Sequence, residues 1–313
     1  MGATGTGKST FINLISGSTL RIGDGLESCT DTMSATAPFD FQGRKVVLFD
    51  TPGFDDTTKS DTDILKMIAI FLTTYHQDGV KLAGVIYMYN INGVRMSGIA
   101  TRNFRMFRKL CGDESLKNVV IVTNFWSQVD HAQGTARETE LCTNDKFFKP
   151  VLDMHAKLLR HNGTRVGAST IIEGIMGNHP IALRIQDEIL VEQKSLLETA
   201  AGTELNHELK EQALKHAKEL EEIREEMRTA IEERDEKSRR ELETAETKLN
   251  EDVRRVRIEL QELAATHSEE MKKLEEKLEA DNLSNAKRDE LQKLIADLLK
   301  RNILKRLLNS VPR

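Results

Sequence analysis

The sequence predicts an α/β head followed by a long α-helical tail. Within the head, a glycine-rich loop at residues 2–9 runs directly into apolar residues at helical spacing, and several apolar runs of strand length end in polar residues. Residues 187–313 contain no aromatic residue and a single glycine, whereas all fifteen aromatic residues lie at or before Phe148. We therefore expect a globular domain over 1–190, with a mainly parallel sheet between helices, and a solvated helical tail over 191–313.

The loop at residues 2–9 has the spacing GxxxxGK[ST] of a phosphate-binding loop. Its glycines let successive backbone N–H groups point at phosphate oxygens, and the lysine adds a positive charge that makes it a catalytic candidate as well. The serine hydroxyl is placed to ligate Mg²⁺, and the helix that follows favours an anion at its N-terminus. The predicted nucleotide-binding residues of the loop are Gly2, Ala3, Thr4, Gly5, Thr6, Gly7, Lys8, Ser9 and Thr10.

A phosphate-binding loop normally follows a buried β-strand, and here only Met1 precedes it. Either the chain is a fragment of a longer one, or its sheet lacks the strand that anchors the loop. The expected fold is therefore a sheet whose first strand is missing.

A second motif, Asp50-Thr51-Pro52-Gly53, ends the apolar run 45–49. An acidic residue at the tip of a strand beside the phosphate loop binds Mg²⁺, usually through water, so Asp50 is a predicted metal ligand together with Ser9. The N–H of a glycine three positions later can approach the γ-phosphate, which makes Gly53 a predicted nucleotide contact.

The polar stretch at residues 23–38 is a candidate switch segment, because a switch needs a mobile hydroxyl that reaches Mg²⁺ only when the γ-phosphate is present. Thr30 is the predicted metal ligand and catalytic residue there, with Thr32 as the second choice. An ordinary Ser/Thr-rich loop is the alternative.

These motifs resemble the septin-related, immunity-associated class of GTP-binding proteins, most closely its fungal members, in which a GTPase domain runs into a coiled-coil tail. The stretches that carry the resemblance are GATGTGKST, VVLFDTPGFDD, LAGVIYMYNINGVRMSG, NFRMFRKLCGDESLKNVVIVTNFW and HPIALRIQDEI. The resemblance implies a P-loop GTPase fold with switch loops at the carboxyl edge of the sheet, and GTP and Mg²⁺ as cofactors.

Two positions depart from the common GTPase pattern. Phe54 stands where Ras-like enzymes have a water-orienting glutamine, and it can form no hydrogen bond, so we expect slow turnover or dependence on a second head. After the apolar run 119–122, the guanine-reading motif [NT]KxD is replaced by Thr123-Asn124-Phe125-Trp126.

Base contacts are accordingly predicted from Thr123, Asn124 and Trp126, with two alternatives open for the tryptophan: stacking on the base or packing in the protein. Asn162 is a further candidate, because immunity-associated relatives have an asparagine near this place that touches the base. The alternative is that Asn162-Gly163 is only a tight turn.

Four basic residues, Arg102, Arg105, Arg108 and Lys109, share one predicted helix. A solvated basic face is the favoured interpretation. The alternative is that one of these arginines acts in the nucleotide site of a second copy's head.

In the tail, apolar residues recur at alternating steps of three and four, as in Leu220, Ile223 and Met227, which predicts a coiled-coil seam beyond the last break at Gly202. The polar stretch 234–240 interrupts the seam, so a hinge or hairpin is expected there. A helix this polar needs a partner, either another copy or itself folded back. A homo-oligomer through the coiled coil is the prediction, with a head-to-head dimer as an addition.

Composition and charge argue against several kinds of function and site. The 313 residues carry a net charge of −5, which gives no reason to expect nucleic-acid binding. Three cysteines without CxxC spacing argue against a disulfide framework and a zinc site, and no signal peptide or membrane span is visible, so a cytoplasmic location is expected. Residues 287–313 form a basic amphipathic stretch that could contact an anionic membrane, although packing against protein is favoured.

Three functions are compatible with these features. The first is a slow, nucleotide-switched GTPase that oligomerises through its tail. The second is a coiled-coil scaffold with an incomplete nucleotide site. The third is a coiled-coil ATPase, and the absence of an LSGG-type signature from the sequence argues against it.

Overall fold

The structure is a computed structural model, and it describes residues 1–21, 33–54, 56, 59–77, 79–93, 98–232 and 236–280. The predicted switch residues Thr30 and Thr32, and the basic stretch 287–313, lie outside the described residues. The chain divides into two compact units, one made of Met1–Lys194 with Glu198–Glu208, the other of Ser195–Leu197 with the residues from Leu209 onwards.

The first unit alternates strands and helices. Its strands are β1 (Ser34–Ala35), β2 (Phe39–Phe41), β3 (Arg44–Val46), β4 (Phe49–Asp50), β5 (Val85–Asn90), β6 (Val119–Asn124) and β7 (Lys157–Arg160). Its helices are α1 (Lys8–Ser16), α2 (Asp61–Gln77), α3 (Gly98–Cys111), α4 (His131–Thr143), α5 (Lys149–Leu152), α6 (Arg165–Met176) and α7 (Arg184–Leu190).

Strands β5, β6 and β7 form a parallel sheet in that order, with β5 pairing β6 from Val85 opposite Val119. All six residues of β6 are buried, because helices cover both faces of the sheet. One core cluster joins apolar residues of α1 and α6 to β5 and β6, and aromatic rings of α3 pack against Tyr87 of β5. The predicted parallel sheet between helices is confirmed.

The predicted strand over 45–49 is divided between β3 and β4. Strand β3 pairs antiparallel with β2, and β4 pairs antiparallel with β1. Between them, Leu48 N donates to the Thr36 hydroxyl (3.1 Å) and Thr36 N donates to Leu48 O (2.9 Å). A side chain therefore replaces one backbone group of the ladder, which is why the extended run is not one continuous strand.

Residues 1–3 take the place of the first strand. Met1 N donates to Ile86 O (2.8 Å) and Met88 N donates to Met1 O (2.9 Å), which is parallel pairing with β5. On the other side, Ala3 forms a parallel bridge with Phe54. This three-residue segment is the anchor of the phosphate loop.

The tail forms two long helices, α8 (Ala200–Glu232) and α9 (Glu236–Ala280). Gly202, predicted to be a break, lies inside α8, where its N–H donates to the Thr199 hydroxyl (3.0 Å) and the first helical turn is thereby satisfied.

The second unit contains an antiparallel pairing of α8 and α9. Arg224 Nε donates to Glu246 Oε1 (3.0 Å), although a continuous helix would separate these residues by about 33 Å along its axis. The chain therefore reverses between the two helices, and of the two predicted partners, another copy or itself, the second is present here. Val256, Leu260 and Leu263 of the predicted seam are buried.

No helix among the described residues is long and apolar enough to span a membrane.

Candidate nucleotide site

The phosphate loop turns sharply between the Met1–Ala3 segment and α1, and three glycines allow it. A Cβ on Gly2 would lie 2.3 Å from Met88 O, and a Cβ on Gly7 would lie 2.5 Å from Asn124 Nδ2. Gly2, Gly5 and Gly7 all have positive φ, at 131°, 75° and 88°. Gly5 faces open space, so the concave side of the loop remains accessible to a ligand.

One side-chain and one backbone hydrogen bond hold this turn. The Thr6 hydroxyl donates to Ala3 O (2.9 Å), and Thr4 N donates to Phe54 O (3.1 Å). Thr10, the last predicted contact of the loop, lies exposed on α1. These two hydrogen bonds join the loop to the Met1–Ala3 segment and to Phe54.

Lys8 directs its ammonium into the loop. Its Nζ donates to Gly2 O (3.1 Å) and Ala3 O (2.9 Å). Burial lowers the pKa of Lys8 from 10.5 to about 8, and the carboxylates of Asp50 and Asp56 oppose that shift only in part. A buried ammonium whose carbonyl partners carry no formal charge gains strongly from a phosphate anion, so the residue is suited to the predicted role.

Ser9 and Asp50 meet at one end of the loop. Ser9 Oγ donates to Asp50 Oδ2 at 2.5 Å, which brings α1 and β4 together across 41 residues of sequence. Asp50 is 2% exposed, and its Oδ1 has no hydrogen-bond partner in the described part of the chain. A buried carboxylate oxygen beside a hydroxyl is the donor set that Mg²⁺ prefers, so these residues fit the predicted ion.

Gly53 and Phe54 follow directly. A Cβ on Gly53 would lie 2.5 Å from Thr4 N, so only glycine lets the two loops approach this closely. Phe54 is 0% exposed and lies at the bridge with Ala3. The side chain that replaces the water-orienting glutamine is therefore a core residue.

Two of the predicted base contacts form hydrogen bonds within the protein. Asn124 is buried, its Nδ2 donates to Thr6 O (3.1 Å), and its Oδ1 accepts from Phe125 N (2.8 Å). Thr123 is fully buried, and its hydroxyl donates to Glu138 Oε1 (3.0 Å) while accepting from Trp126 Nε1 (3.0 Å). Asn124 therefore ties the end of β6 to the phosphate loop, and Thr123 holds Trp126.

Trp126 packs within the protein. The Arg160 guanidinium lies 4.0 Å from the centre of its ring, and a Cβ on Gly134 would lie 2.8 Å from Trp126 Cζ3. Arg160 is fixed in turn by two hydrogen bonds to Glu138 Oε2, at 2.8 and 2.5 Å. Of the two alternatives for this residue, packing is the one that the geometry favours. The Arg160–Glu138 pair had no sequence signal, because its members come from β7 and α4.

The turn after β7 contains Asn162, whose Oδ1 accepts from Thr164 N (3.1 Å) and the Thr164 hydroxyl (2.7 Å). This bonding is that of a turn leading into α6, although Asn162 remains exposed. The preceding residue, His161, was not predicted: its ring is buried edge-on against Phe11 (5.3 Å between centroids), and burial lowers its pKa.

Of the four basic residues of α3, Arg102 is buried, Arg108 is partly buried, and Arg105 and Lys109 are exposed. Arg102 is buried and pairs with Asp61, while Arg105 pairs with Glu204 and Glu208 at the start of α8. Arg108 pairs with Asp113 (3.3 Å). Three of the four residues thus keep solvent exposure, as the favoured interpretation expects, while Arg102 is buried in an ion pair that the sequence did not indicate.

Sequence and structure comparisons bear on this site. Residues 1–124 match the profile of a protein family described as 50S ribosome-binding GTPase, a match that spans less than half of the chain. No curated protein matches the chain.

Among solved structures, the chain is similar to three crystal structures of Toc33 from Arabidopsis thaliana. A dimerization-deficient mutant is 14% identical, with a TM-score of 0.43, over 62% of this chain and 84% of that one. The complex with GDP and Mg²⁺ is 14% identical, with a TM-score of 0.44, over 58% and 85%. The complex with Mg²⁺ and GMPPNP is 16% identical, with a TM-score of 0.40, over 52% and 69%. These identities and TM-scores carry no functional conclusion.

The family match covers the phosphate loop, the Asp50 motif and β6, which are the segments that the structure brings together around Lys8. Residues 1–124 therefore belong to a P-loop GTPase domain.

Proposed function

We propose that the protein is a GTP-binding, slow GTPase switch whose head spans 1–190 and whose helical tail, 191–313, mediates self-association. The observation that carries the proposal is the convergence of the Lys8 ammonium, the Ser9 hydroxyl and the Asp50 carboxylate at one loop. Three such groups from two elements are what a Mg²⁺–nucleoside triphosphate requires.

The role of each residue follows from its chemistry. Lys8 neutralises phosphate charge, and the N–H groups of residues 2–9 donate hydrogen bonds to the phosphate oxygens. Ser9 and Asp50 would hold Mg²⁺, with Thr30 as the proposed further ligand from the switch segment. The ion would supply positive charge to the phosphates, which favours departure of the γ-phosphoryl group.

Hydrolysis in a single head is proposed to be slow. Phe54 is enclosed in the core and has no polar atom that could orient water. Arg102 and Arg105 are engaged with carboxylates of the same chain, so neither is free to act in another head without breaking an ion pair. A head-to-head dimer that completes the site with other residues is part of the proposal.

Guanine preference is proposed to be weak. Asn124 and Thr123 are occupied within the protein, and Trp126 is covered by Arg160 on one ring face. Selectivity then depends on backbone groups and on Asn162, which together discriminate less than a carboxylate that accepts two hydrogen bonds from guanine.

Self-association through the tail is supported by two exposed apolar side chains of the hairpin. Leu214 on α8 and Ile258 on α9 are 72% and 43% exposed. The Arg224–Glu246 ion pair places these two residues side by side in the antiparallel pair of helices. Leu214 lies ten residues before Arg224, and Ile258 lies twelve residues after Glu246, so both are further from the turn between the helices. They are therefore at the same level along the hairpin to within about one helical turn, and each exposes apolar surface that another copy could cover.

The remaining parts of the proposal concern surroundings. The location is proposed to be cytoplasmic. No nucleic-acid partner is proposed, because the net charge of the chain is −5. Residues 287–313 are proposed to pack against protein rather than to lie on a membrane.

Calorimetry tests nucleotide binding. Wild type is titrated with GTP and with ATP in the presence of Mg²⁺, beside Lys8→Ala and the control Lys117→Ala, whose lysine is exposed before β6. We expect wild type and Lys117→Ala to bind GTP, and Lys8→Ala to lose at least about a hundredfold in affinity. If wild type and Lys8→Ala are equally inert towards both nucleotides, the alternative scaffold function holds. A preference for ATP would instead indicate a coiled-coil ATPase.

A second experiment tests the tail. Light scattering of wild type is compared with that of Leu214→Glu and of the control Glu221→Gln, which changes an exposed charged position of the same helix. We expect Leu214→Glu alone to lower the average mass towards that of one chain. An unchanged mass for Leu214→Glu would remove the hairpin from the proposed interface.

A further inference from the structure

Phe125 lies between Asn124, which is tied to the phosphate loop, and Trp126, which packs with Arg160. Its side chain is only partly buried, whereas Thr123 and Asn124 before it are buried. The backbone of Phe125 is left-handed, with φ at 65° and ψ at 33°. Bulky residues rarely adopt this conformation, because it brings Cβ close to a carbonyl oxygen. A residue held in this way indicates a constraint from the surrounding structure.

Among the residues that the structure describes, the other positions with positive φ that are not glycine are Gln42, His155 and Gln193. All three are polar, so Phe125 is the apolar exception. Both of its backbone groups are bonded. Phe125 N donates to Asn124 Oδ1 (2.8 Å), and Gln128 N donates to Phe125 O (3.0 Å). The side chain that ties β6 to the phosphate loop therefore also holds Phe125 in its left-handed conformation.

The outer edge of the Phe125 ring lies at the phosphate loop. A Cβ on Gly7 would lie 3.5 Å from Phe125 Cζ and 3.8 Å from its Cε2. Gly7 directly precedes Lys8, whose ammonium lies within the loop. Trp126, by contrast, has the Arg160 guanidinium 4.0 Å from the centre of its ring. Of the two aromatic rings in this stretch, Phe125 is thus the one placed beside the predicted phosphate site.

The ring also lies at the edge of the sheet where a nucleoside is expected. Strands β6 and β7 are parallel neighbours that end at Asn124 and Arg160, so Phe125 and the turn at 161–163 follow them at the same edge. Ligands of such sheets bind outside the carboxyl ends of the strands. A nucleoside whose phosphates are held at Lys8 therefore extends along this edge, past the Phe125 ring.

An aromatic ring binds a base through its face. Stacking of this kind requires no particular pattern of donors and acceptors, because every base presents a π-face. The neighbouring polar side chains, Thr123 and Asn124, are hydrogen-bonded within the protein. Stacking on Phe125 therefore supplies affinity for a base without distinguishing the carbonyl group of guanine from the amino group of adenine.

We infer that Phe125 is a base-binding residue, whose ring stacks on the purine of a nucleoside triphosphate held at Lys8. The inference rests on the proposed function, because it requires phosphates in the loop. It defines the ligand class as purine nucleotides, since the two fused rings of a purine offer a larger stacking surface than the single ring of a pyrimidine. The left-handed backbone is what presents the ring at the rim of the loop.

The test is calorimetry of the full chain in the presence of Mg²⁺. Wild type is compared with Phe125→Leu, which keeps an apolar side chain and removes the ring, and with Phe125→Tyr, which keeps the ring. Phe147→Leu is the matched control, because Phe147 is also partly buried but lies in the turn before α5. The ligands are GTP, ATP, UTP and inorganic triphosphate, which has the phosphates and no base.

We expect Phe125→Leu to weaken GTP and ATP binding by the same factor, at least about fivefold, and to leave the binding of inorganic triphosphate unchanged. Phe125→Tyr and Phe147→Leu should stay within about twofold of wild type for every ligand, because the stacking ring is retained. Wild type should bind UTP at least about fivefold more weakly than ATP, and Phe125→Leu should narrow that difference.

Three results would overturn the inference and leave the proposed function intact. The first is equal GTP affinity in wild type and Phe125→Leu. The second is an equal loss for GTP and for inorganic triphosphate in Phe125→Leu, since the residue would then only shape the loop. The third is UTP binding by wild type that is as strong as ATP binding. A wild type inert towards all four ligands would instead contradict the proposed function, and the inference with it.

Discussion

The buried ammonium of Lys8 predicts an unusual pH dependence of nucleotide binding. The pKa of Lys8 is lowered from 10.5 to about 8 by burial, so the nucleotide-free protein loses this charge just above neutral pH. A bound phosphate returns the pKa towards its ordinary value, because an anion at the ammonium stabilises the charged form. Binding above pH 8 therefore requires uptake of a proton, and affinity falls as the pH rises.

The magnitude follows from that pKa. With a pKa of about 8, about nine-tenths of the free protein is protonated at Lys8 at pH 7 and about one-tenth at pH 9, so affinity should fall about tenfold between them. At pH 8, about half a proton should be taken up per nucleotide bound.

The free energy of unfolding of the nucleotide-free head should rise with pH, whereas nucleotide affinity falls. The unfolded state, with a Lys8 pKa near 10.5, binds more protons than the folded state between pH 8 and 10.5. The contribution of Lys8 to the free energy of unfolding therefore rises with pH across that window, by at most about 3 kcal/mol.

Calorimetry in two buffers of different ionisation enthalpy measures proton uptake and affinity together. Lys8→Arg is the matched control, because a guanidinium stays protonated throughout this range and the titration of the nucleotide itself is common to both proteins. Affinity that is flat from pH 7 to 9, with no proton uptake in wild type, would refute the assignment of the buried Lys8 ammonium to the phosphates.

Three further predictions concern neighbouring residues. Gly53→Ala should weaken GTP binding at least about thirtyfold, because its Cβ would lie 2.5 Å from Thr4 N, whereas Gly177→Ala, which meets nothing, should leave affinity unchanged in the same titration. Asn124→Ala should weaken GTP and ATP binding by similar factors of about 5–30, since it removes a tether to Thr6 rather than a base contact; a loss confined to GTP would contradict this role. Single-turnover hydrolysis by wild type should stay below about 0.01 s⁻¹ at low protein concentration, because Phe54 is enclosed in the core, and rates near 5–20 s⁻¹ independent of concentration would exclude slow turnover.

The loop around Lys8 and its approach to Asp50 were predictable from the sequence, because they depend on local spacing. A fixed run from Gly2 to Ser9 makes one loop, and an apolar run that ends in Asp50 makes one strand tip. The parallel sheet was predictable for the same reason, since β6 reads as an uninterrupted apolar run buried on both faces.

The surroundings of Trp126 were not predictable, because its contacts are non-local. Trp126 is covered by Arg160 from β7 and packed against Gly134 of α4, and nothing in the stretch 123–126 indicates either neighbour. The ion pairs of Arg102 and Arg105 were missed for a similar reason. Their carboxylate partners lie 41 and 103 residues away in sequence, beyond the reach of helical periodicity.

The dependence of GTP affinity on Mg²⁺ tests the assignment of Ser9 and Asp50 most directly. Affinity is measured with Mg²⁺ and with chelator, in wild type and in Asp50→Asn, which keeps the size of the side chain and removes its charge. We predict that Mg²⁺ strengthens GTP binding by at least about tenfold in wild type and by less than about twofold in Asp50→Asn. Equal strengthening by Mg²⁺ in the two proteins would contradict the account, because the ion would then be held without the buried carboxylate.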